Sequence, residues 1–281
     1  MGLGVESKSL SSPGVREEPP DVVEELPRLL GDDRLYRSVV ATLNFMSADM
    51  PDIQFAVKEA CRDMSSPNEH SWRKVKRIGR YLLGRGPVVW RFEWTEGHAG
   101  FKVFTDSDWA GDLATRKSTS GGVIVLGSHC LKSWSSSQGH QALSSCEAEY
   151  YALVDGSTRG IGVQTAAREL GIVAEIDHIL LATDSSGAKS FASRRGSGRV
   201  RHIEVKWLWL QQAVADGRCK LVKVPGSANP ADVLTKYKTR AEAEVLLGLI
   251  GIRLCEVQIS EVSVGAILWG GCGRLMGRRN R

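Results

Sequence analysis

Residues 101–137 read FKVFTDSDWAGDLATRKSTSGGVIVLGSHCLKSWSSS, and this stretch decides the architecture. FKVFTD has the alternation of a strand and ends at Asp106. GGVIVLG and CLKSWSSS flank Gly127-Ser128-His129, a short turn of the kind that closes a hairpin. Three antiparallel strands are therefore expected to open a domain. Downstream the pattern changes to a long helix from about Leu143 to Leu170, a strand HILLATD and a short helix after Ser185. A longer helix IEVKWLWLQQAVADG, a strand CKLVKV and a last helix opening at Asn229-Pro230 follow. Strands first, then helices and strands in alternation, predict an α/β fold: a mixed five-stranded sheet with helices packed on it. Gly160 and Gly162 interrupt the back half of the long helix, each at a cost of about 1 kcal/mol relative to Ala, so that helix is expected to bend or end early.

This main domain spans residues 97–238. Residues 1–33 mix Ser, Pro, Gly and acids and read as a flexible leader. Over residues 34–96 the apolar positions recur at helical spacing in two segments, broken at Met50-Pro51 and Ser65-Ser66-Pro67. The second runs WRKVKRIGRYLL, which gives this small helical module a basic face. Residues 239–281 form an extension that begins as a helix (AEAEVLLGLI) and ends in GRLMGRRNR, where disorder is expected.

A composition of 42% hydrophobic and 25% charged residues excludes a fibre or a wholly disordered chain. The net charge of +5 permits binding to a polyanion without demanding it. The six cysteines show neither Cys-x-x-Cys nor zinc spacing, and they read as reduced structural thiols of a cytosolic or nuclear protein. The N-terminal residues lack the basic start and apolar core expected of a signal peptide, and the apolar stretches fall short of the roughly 20 residues a membrane helix needs. A soluble protein, cytoplasmic or nuclear, is expected, with no membrane partner.

Four acids stand out, each beside a plainer explanation. Asp106 closes a strand, where a turn role is the alternative, as for Asp108 and Asp112. Glu147 stands three residues after Ser144, the spacing of a capping box, whereas Glu149 has no local use and shares a helix face with Ala152, Leu153 and Gly156. Asp184 precedes Ser185 and has the position of a helix cap. Asp232 lies in the first turn of a helix with Asn229 as N-cap and Pro230 at N1, where any acid is favoured. A basic run of Lys189, Arg194, Arg195, Arg199 and Arg201, near Trp207 and Trp209, reads either as a phosphate-holding loop or as a solvated loop whose tryptophans are core.

The stretch YRSVVATLNFMSADMPDIQFAVKEACRDMSSPNEHSWRKVKRIGRYLLG resembles the segment that closes the reverse transcriptase in Ty1/copia-type retrotransposon Pol polyproteins. TDSDWAGDLATRKSTSGGVIVLG, SWSSSQGHQALSSCEAEYYAL, RHIEVKWLWL and VPGSANPADVLTK resemble the ribonuclease H that follows it. The resemblance covers residues 35–238, with the motifs in the family order. It lacks the Tyr/Phe-x-Asp-Asp motif of the polymerase centre, an integrase zinc motif and a protease signature, which suggests a truncated element or a host gene derived from one.

The resemblance implies a ribonuclease H-like fold and a two-metal nuclease that cuts the RNA strand of RNA·DNA hybrids. Asp106, Glu149, Asp184 and Asp232 would be its ligands for two Mg²⁺, or Mn²⁺, with Glu147 the minor alternative to Glu149. Hard carboxylate oxygens suit such ions. The loop PGSANPAD places Ser227 where many ribonucleases H carry a His, and His202 is expected to pack or cap rather than replace it. The hybrid would be held by shape and 2′-hydroxyls, with Lys189, Arg194, Arg195, Arg199 and Arg201 as candidate contacts. The polymerase would be supplied elsewhere in the polyprotein. An integrase is disfavoured by Asp232, where those enzymes carry a Glu. A catalytically inactive or domesticated nucleic-acid-binding relic is the alternative.

Overall fold

The computed structural model describes residues 7–16, 33–94, 100–172, 177–198 and 200–256. Strands β2 (Phe101–Asp108), β3 (Thr119–Leu126) and β4 (His129–Ser137) pair antiparallel in succession, with Gly127 at φ 62° turning the hairpin between β3 and β4. β5 (Ile179–Thr183) joins β2 in parallel, and β6 (Cys219–Lys223) joins β5 in parallel. The order β4-β3-β2-β5-β6 is the ribonuclease H-like mixed sheet that the resemblance implies.

Side-chain alternation along β2 explains why both faces of the sheet are covered. Phe101 and Val103 enter one core with Tyr150, Leu153, Ile179 and Leu210, beneath α4 (Ser145–Glu169), α5 (Ser186–Ser193) and α6 (Trp209–Ala215). Phe104 enters a second core on the other face with Val123, Ala182, Leu234 and Leu247. Fully buried side chains of this size contribute about 1.5–3 kcal/mol each.

α4 runs without interruption from Ser145 to Glu169, its N-terminus capped where Ser144 Oγ accepts the Glu147 N–H at 3.2 Å. The helix does not end early at its glycines, and Gly160 lets it approach the sheet. A Cβ there would stand 2.6 Å from Val103 Cγ2 and 3.0 Å from Ile179 Cδ1, whereas one at Gly162 would meet nothing within 4 Å. The two positions should therefore respond with opposite sign. Gly162→Ala is expected to stabilise by about 1 kcal/mol through helix propensity, and Gly160→Ala to destabilise by about 1 kcal/mol or more through overpacking. Urea denaturation of both variants checks this, and a gain at Gly160 would contradict the close approach.

The longer helix expected over residues 203–217 is shorter than its apolar pattern suggests. Val205–Leu208 is a 3₁₀ turn and only Trp209–Ala215 is α-helical. The Tyr150 hydroxyl donates to the Trp207 carbonyl at 2.7 Å and the Trp207 ring packs on Tyr151, contacts that hold this stretch in the tighter form. The helix expected at Asn229-Pro230 is likewise a 3₁₀ turn, Pro230–Leu234, seated against β3.

The two breaks read in the N-terminal module delimit three helices rather than two: α1 (Asp33–Ser47), α2 (Pro51–Arg62) and α3 (Glu69–Gly84). They enclose a third core of Tyr36, Val40, Ile53, Val57, Trp72 and Ile78. Beneath it the Arg85 guanidinium and the Asp52 carboxylate, 4% and 1% exposed, approach to 3.1 Å, and Tyr81 donates to the same carboxylate at 2.7 Å. β1 (Arg85–Trp90) then pairs antiparallel with β7 (Ile252–Glu256), which follows α7 (Arg240–Gly248), so the chain before the main sheet and the chain after it meet in a second small sheet.

Of the leader, residues 8–10 lie along α3, where Leu10 N–H donates to the Arg80 carbonyl at 3.3 Å and Arg80 Nε to the Lys8 carbonyl at 2.7 Å, and Ser12 Oγ donates to the Lys238 carbonyl at 3.4 Å. Residues 1–6 and 17–32 of the leader and the terminal GRLMGRRNR, where disorder is expected, lie outside the described residues. Among the described residues no helix is long and apolar enough to cross a membrane.

Candidate metal centre

The parallel pairing of β2 with β5 puts Phe104 opposite Ala182. Two residues further on along each strand direction stand Asp106 and Asp184, side by side at the same end of the sheet. α4 packs across β2 and brings Glu149 to them. One carboxylate oxygen from each of Asp106, Glu149 and Asp184 lies within 4.8 Å of the other two.

Each member is held by its own local structure. Asp106 is buried at 1% exposure and accepts a hydrogen bond from the Thr235 hydroxyl. It pairs across the ladder with Gly121, where a Cβ would meet Leu234 Cβ at 2.9 Å, so glycine there admits the 3₁₀ turn that carries Asp232. Glu149 Oε1 accepts the Ser107 N–H at 3.1 Å, while its Oε2 is buried with no hydrogen-bond partner. Asp184 is released from capping because Ser185 caps α5 instead, accepting the Ala188 N–H at 3.2 Å.

Glu147 is saturated elsewhere. Its carboxylate accepts from the Leu143 N–H at 3.0 Å and the Tyr151 hydroxyl at 2.6 Å, and it lies 2.9 Å from His202 Nε2. His202 thus orients a helix-start carboxylate, the packing or capping role expected of it.

Asp232 is not brought into the three-carboxylate group. Its oxygens are engaged by Lys236 Nζ at 2.8 Å and by Lys238 Nζ, and Lys236 also stands 3.4 Å from Asp106. Burial pulls the Asp232 pKa upward, and the hydrogen bonds from the two ammonium groups outweigh it and hold the carboxylate below its ordinary value. Thr235, Lys236 and Lys238 were not among the expected site residues. The spacing Asp232-x-x-x-Lys236 was the available signal, since a pair four apart meets on a helical turn.

Crowded carboxylates in a dry corner resist ionisation. Burial foremost raises Asp106 to about 6, with Asp232 and Asp184 adding repulsion against the opposing pull of Lys236 and Thr235. Burial foremost, then Asp106 and Asp184, raises Glu149 to about 8. Burial and its two acidic neighbours therefore favour the neutral form of Glu149.

The basic run begins with Lys189 on α5 and continues in the segment that follows it. Arg194, Arg195 and Arg201 are exposed, Lys189 is half-buried, and Arg199 lies outside the described residues. The Arg194 guanidinium sits over the Phe191 ring and donates to the Ser197 carbonyl at 3.1 Å. Trp207 and Trp209 pack against the first core, the plainer of their two readings.

No family model matches the chain. It is 31% identical over 218 residues to the retrovirus-related Pol polyprotein from transposon TNT 1-94 of Nicotiana tabacum, a match covering 77% of this chain. It is 29% identical over 224 residues to that from transposon RE2 of Arabidopsis thaliana, covering 79%. The chain spans 16% and 15% of those two polyproteins. Among solved structures, RNase H1 from the archaeon Halobacterium salinarum NRC-1 is 21% identical with a TM-score of 0.35, the match covering 51% of this chain and 96% of that one. On its curated relatives and the order of its motifs, the chain belongs to the copia-type retrotransposon Pol polyprotein family.

Proposed function

We propose that this chain hydrolyses the RNA strand of RNA·DNA hybrids endonucleolytically, as the ribonuclease H part of such a polyprotein or of a gene derived from one. The observation that carries the reading is the convergence of Asp106, Glu149 and Asp184 within 4.8 Å, with one Glu149 oxygen buried and unpartnered. An all-oxygen donor set with an orphaned carboxylate oxygen fits Mg²⁺ or Mn²⁺, which take few protein carboxylates and complete their shells with water and phosphate oxygens. Bound divalent cations supply an activated water and neutralise charge on the leaving oxygen of a phosphodiester.

The chain's own residues then have distinct roles. Asp106, Glu149 and Asp184 hold the cations, and Asp106 is oriented by the Thr235 hydroxyl. Asp232 is the fourth ligand in this reading, once Lys236 and Lys238 yield its oxygens. Lys189, Arg194, Arg195, Arg199 and Arg201 contact phosphates of the hybrid. A reverse transcriptase encoded elsewhere in the element makes that hybrid.

The clasp of Lys236 and Lys238 on Asp232 favours one second reading, a nucleic-acid-binding relic whose second cation is displaced. Incubation of the purified chain with strand-labelled RNA·DNA hybrid, RNA duplex and DNA duplex separates the two. The nuclease reading expects cutting of the RNA strand of the hybrid alone, in Mg²⁺ or Mn²⁺ and not in EDTA. Binding of the hybrid without cutting by the folded protein supports the relic.

A further inference from the structure

We propose that the cleft between α3 and the β2–β3 loop is a nucleic-acid groove, in which the helical module grips phosphates of the duplex whose RNA strand reaches Asp106, Glu149 and Asp184. The inference rests on the ribonuclease H reading and extends the substrate surface to a module that contributes nothing to the carboxylate group.

The cleft has a volume of about 1880 Å³, beyond the 300–1,000 Å³ or so of small-molecule sites. It is walled by α3 and the end of α2, by residues of the 7–16 segment, by the loop from Asp108 to Lys117 and by Lys236–Lys238. Twelve of its lining residues are Lys or Arg and four are Asp or Glu, so it concentrates more positive charge than the whole chain, whose net is +5. A concave surface of one sign focuses the potential that draws a polyanion.

Which of these cations are already engaged narrows the gripping surface. Arg73 faces Glu69 and Lys74 faces Asp63, and Arg62 faces Glu59. Among the described residues no carboxylate lies within ion-pair distance of Lys76, Arg77, Arg116 or Lys117, and Arg77 Nε is buried with no hydrogen-bond partner.

The opposite wall is held under strain. Ala110 and Arg116 both adopt the left-handed region, at φ 53° and 54°, a conformation that costs a residue with a Cβ about 1 kcal/mol or more. Asp112 over-determines it: its main-chain carbonyl accepts the Arg116 N–H at 2.7 Å and its carboxylate accepts the Ala114 N–H at 3.2 Å. Trp109, 49% exposed, is anchored by its indole N–H on the Ala142 carbonyl at 2.9 Å and lines the cleft. An anchored aromatic ring beside free cations suits sugar or base stacking.

Lys236 and Lys238 line the cleft and engage the carboxylates behind it, Lys236 at 3.4 Å from Asp106 and both on Asp232, so a backbone lying in the cleft passes beside the carboxylates. That continuity selects a phosphodiester strand over an acidic protein segment as the occupant.

The test uses the full chain carrying Asp184→Asn, so that the hybrid is not consumed, and measures binding of a fluorescent RNA·DNA hybrid by anisotropy across salt concentrations. Lys76→Gln/Arg77→Gln/Lys117→Gln in that background is expected to weaken binding at least about tenfold and to flatten the log–log salt slope by about 0.9 for each phosphate that the groove no longer neutralises. Acetylation of lysines in the unsubstituted chain, read by mass spectrometry, guards against a folding artefact: hybrid should protect Lys76 and Lys117 and leave Lys220 reactive. Unchanged affinity and slope with Lys76 and Lys117 equally acetylated overturns the groove, as does protection by an acidic polypeptide but not by hybrid. Hybrid cleavage without groove dependence sinks the groove alone, and groove-dependent binding without cleavage sinks the nuclease reading alone.

Discussion

Glu149→Gln should lower hybrid cleavage by on the order of 10³-fold while making the metal-free protein more stable at pH 8. The two effects share a cause. Glu149 sits against Asp106 and Asp184, with burial and their charges raising its pKa to about 8. A carboxyl group whose folded pKa lies above its unfolded value binds a proton in the folded state that the unfolded chain has released. Its contribution is present at low pH and is lost as pH rises from the ordinary glutamate value toward 8, at most by about 1.4 kcal/mol per pH unit for one proton. Glutamine keeps the shape and the Ser107 hydrogen bond yet cannot ionise, so that loss disappears. It also removes one charged oxygen donor from the centre, which is the cost to cleavage. Melting curves in EDTA from pH 5 to 8, beside hybrid cleavage in Mg²⁺, read both quantities. A variant that cleaves normally, or a wild type whose stability rises toward pH 8 without metal, would contradict the assignment.

The second large effect falls on the helical module. Asp52→Ala is expected to cost about 3–5 kcal/mol, because it strands the Arg85 guanidinium in the interior. That guanidinium is 4% exposed, its Nε stands 3.1 Å from Asp52, and its other donors reach only the Gly86 carbonyl and the Met50 sulfur. The pair links α2 to the start of β1, so the loss falls on the helical module and on the β1–β7 sheet. Asp52→Leu/Arg85→Met should recover most of the stability, since exchanging a buried pair for apolar groups of similar volume is near neutral. Urea denaturation of the single and double variants measures this. Equal losses in both would show that packing, not the stranded charge, sets the cost.

The parts of this fold that were legible in the chain are those set by local periodicity. The strand carrying Asp106, which runs on to Asp108 because Ser107 and Asp108 still pair with β3, the hairpin at Gly127-Ser128 and the long helix carrying Glu149 follow from alternation, turn chemistry and capping within a few residues. Glu149 and Glu147 were separable because Ser144 gives the latter a structural use; the detail differed, since Glu147 reaches the Leu143 N–H and draws in Tyr151 and His202. What local pattern does not carry is pairing between distant segments. β1 and β7 lie more than a hundred residues apart and neither is apolar enough to announce a strand. The engagement of Asp232 by Lys236 and Lys238, and the cleft along α3, arise only when the elements pack. The 3₁₀ form of residues 205–208 is likewise a tertiary outcome, imposed by Tyr150 and Tyr151 on a stretch with helical spacing.

Titration of Mn²⁺ into the metal-free chain at pH 7, by calorimetry in two buffers of different ionisation enthalpy, tests most directly whether Asp106, Glu149 and Asp184 form one cation centre. Saturable binding is predicted, with release of about one proton as the cation displaces it from Glu149, and with binding abolished by Asp106→Asn or Asp184→Asn. A folded protein that binds no Mn²⁺, or binds it equally well after those substitutions, would contradict the account.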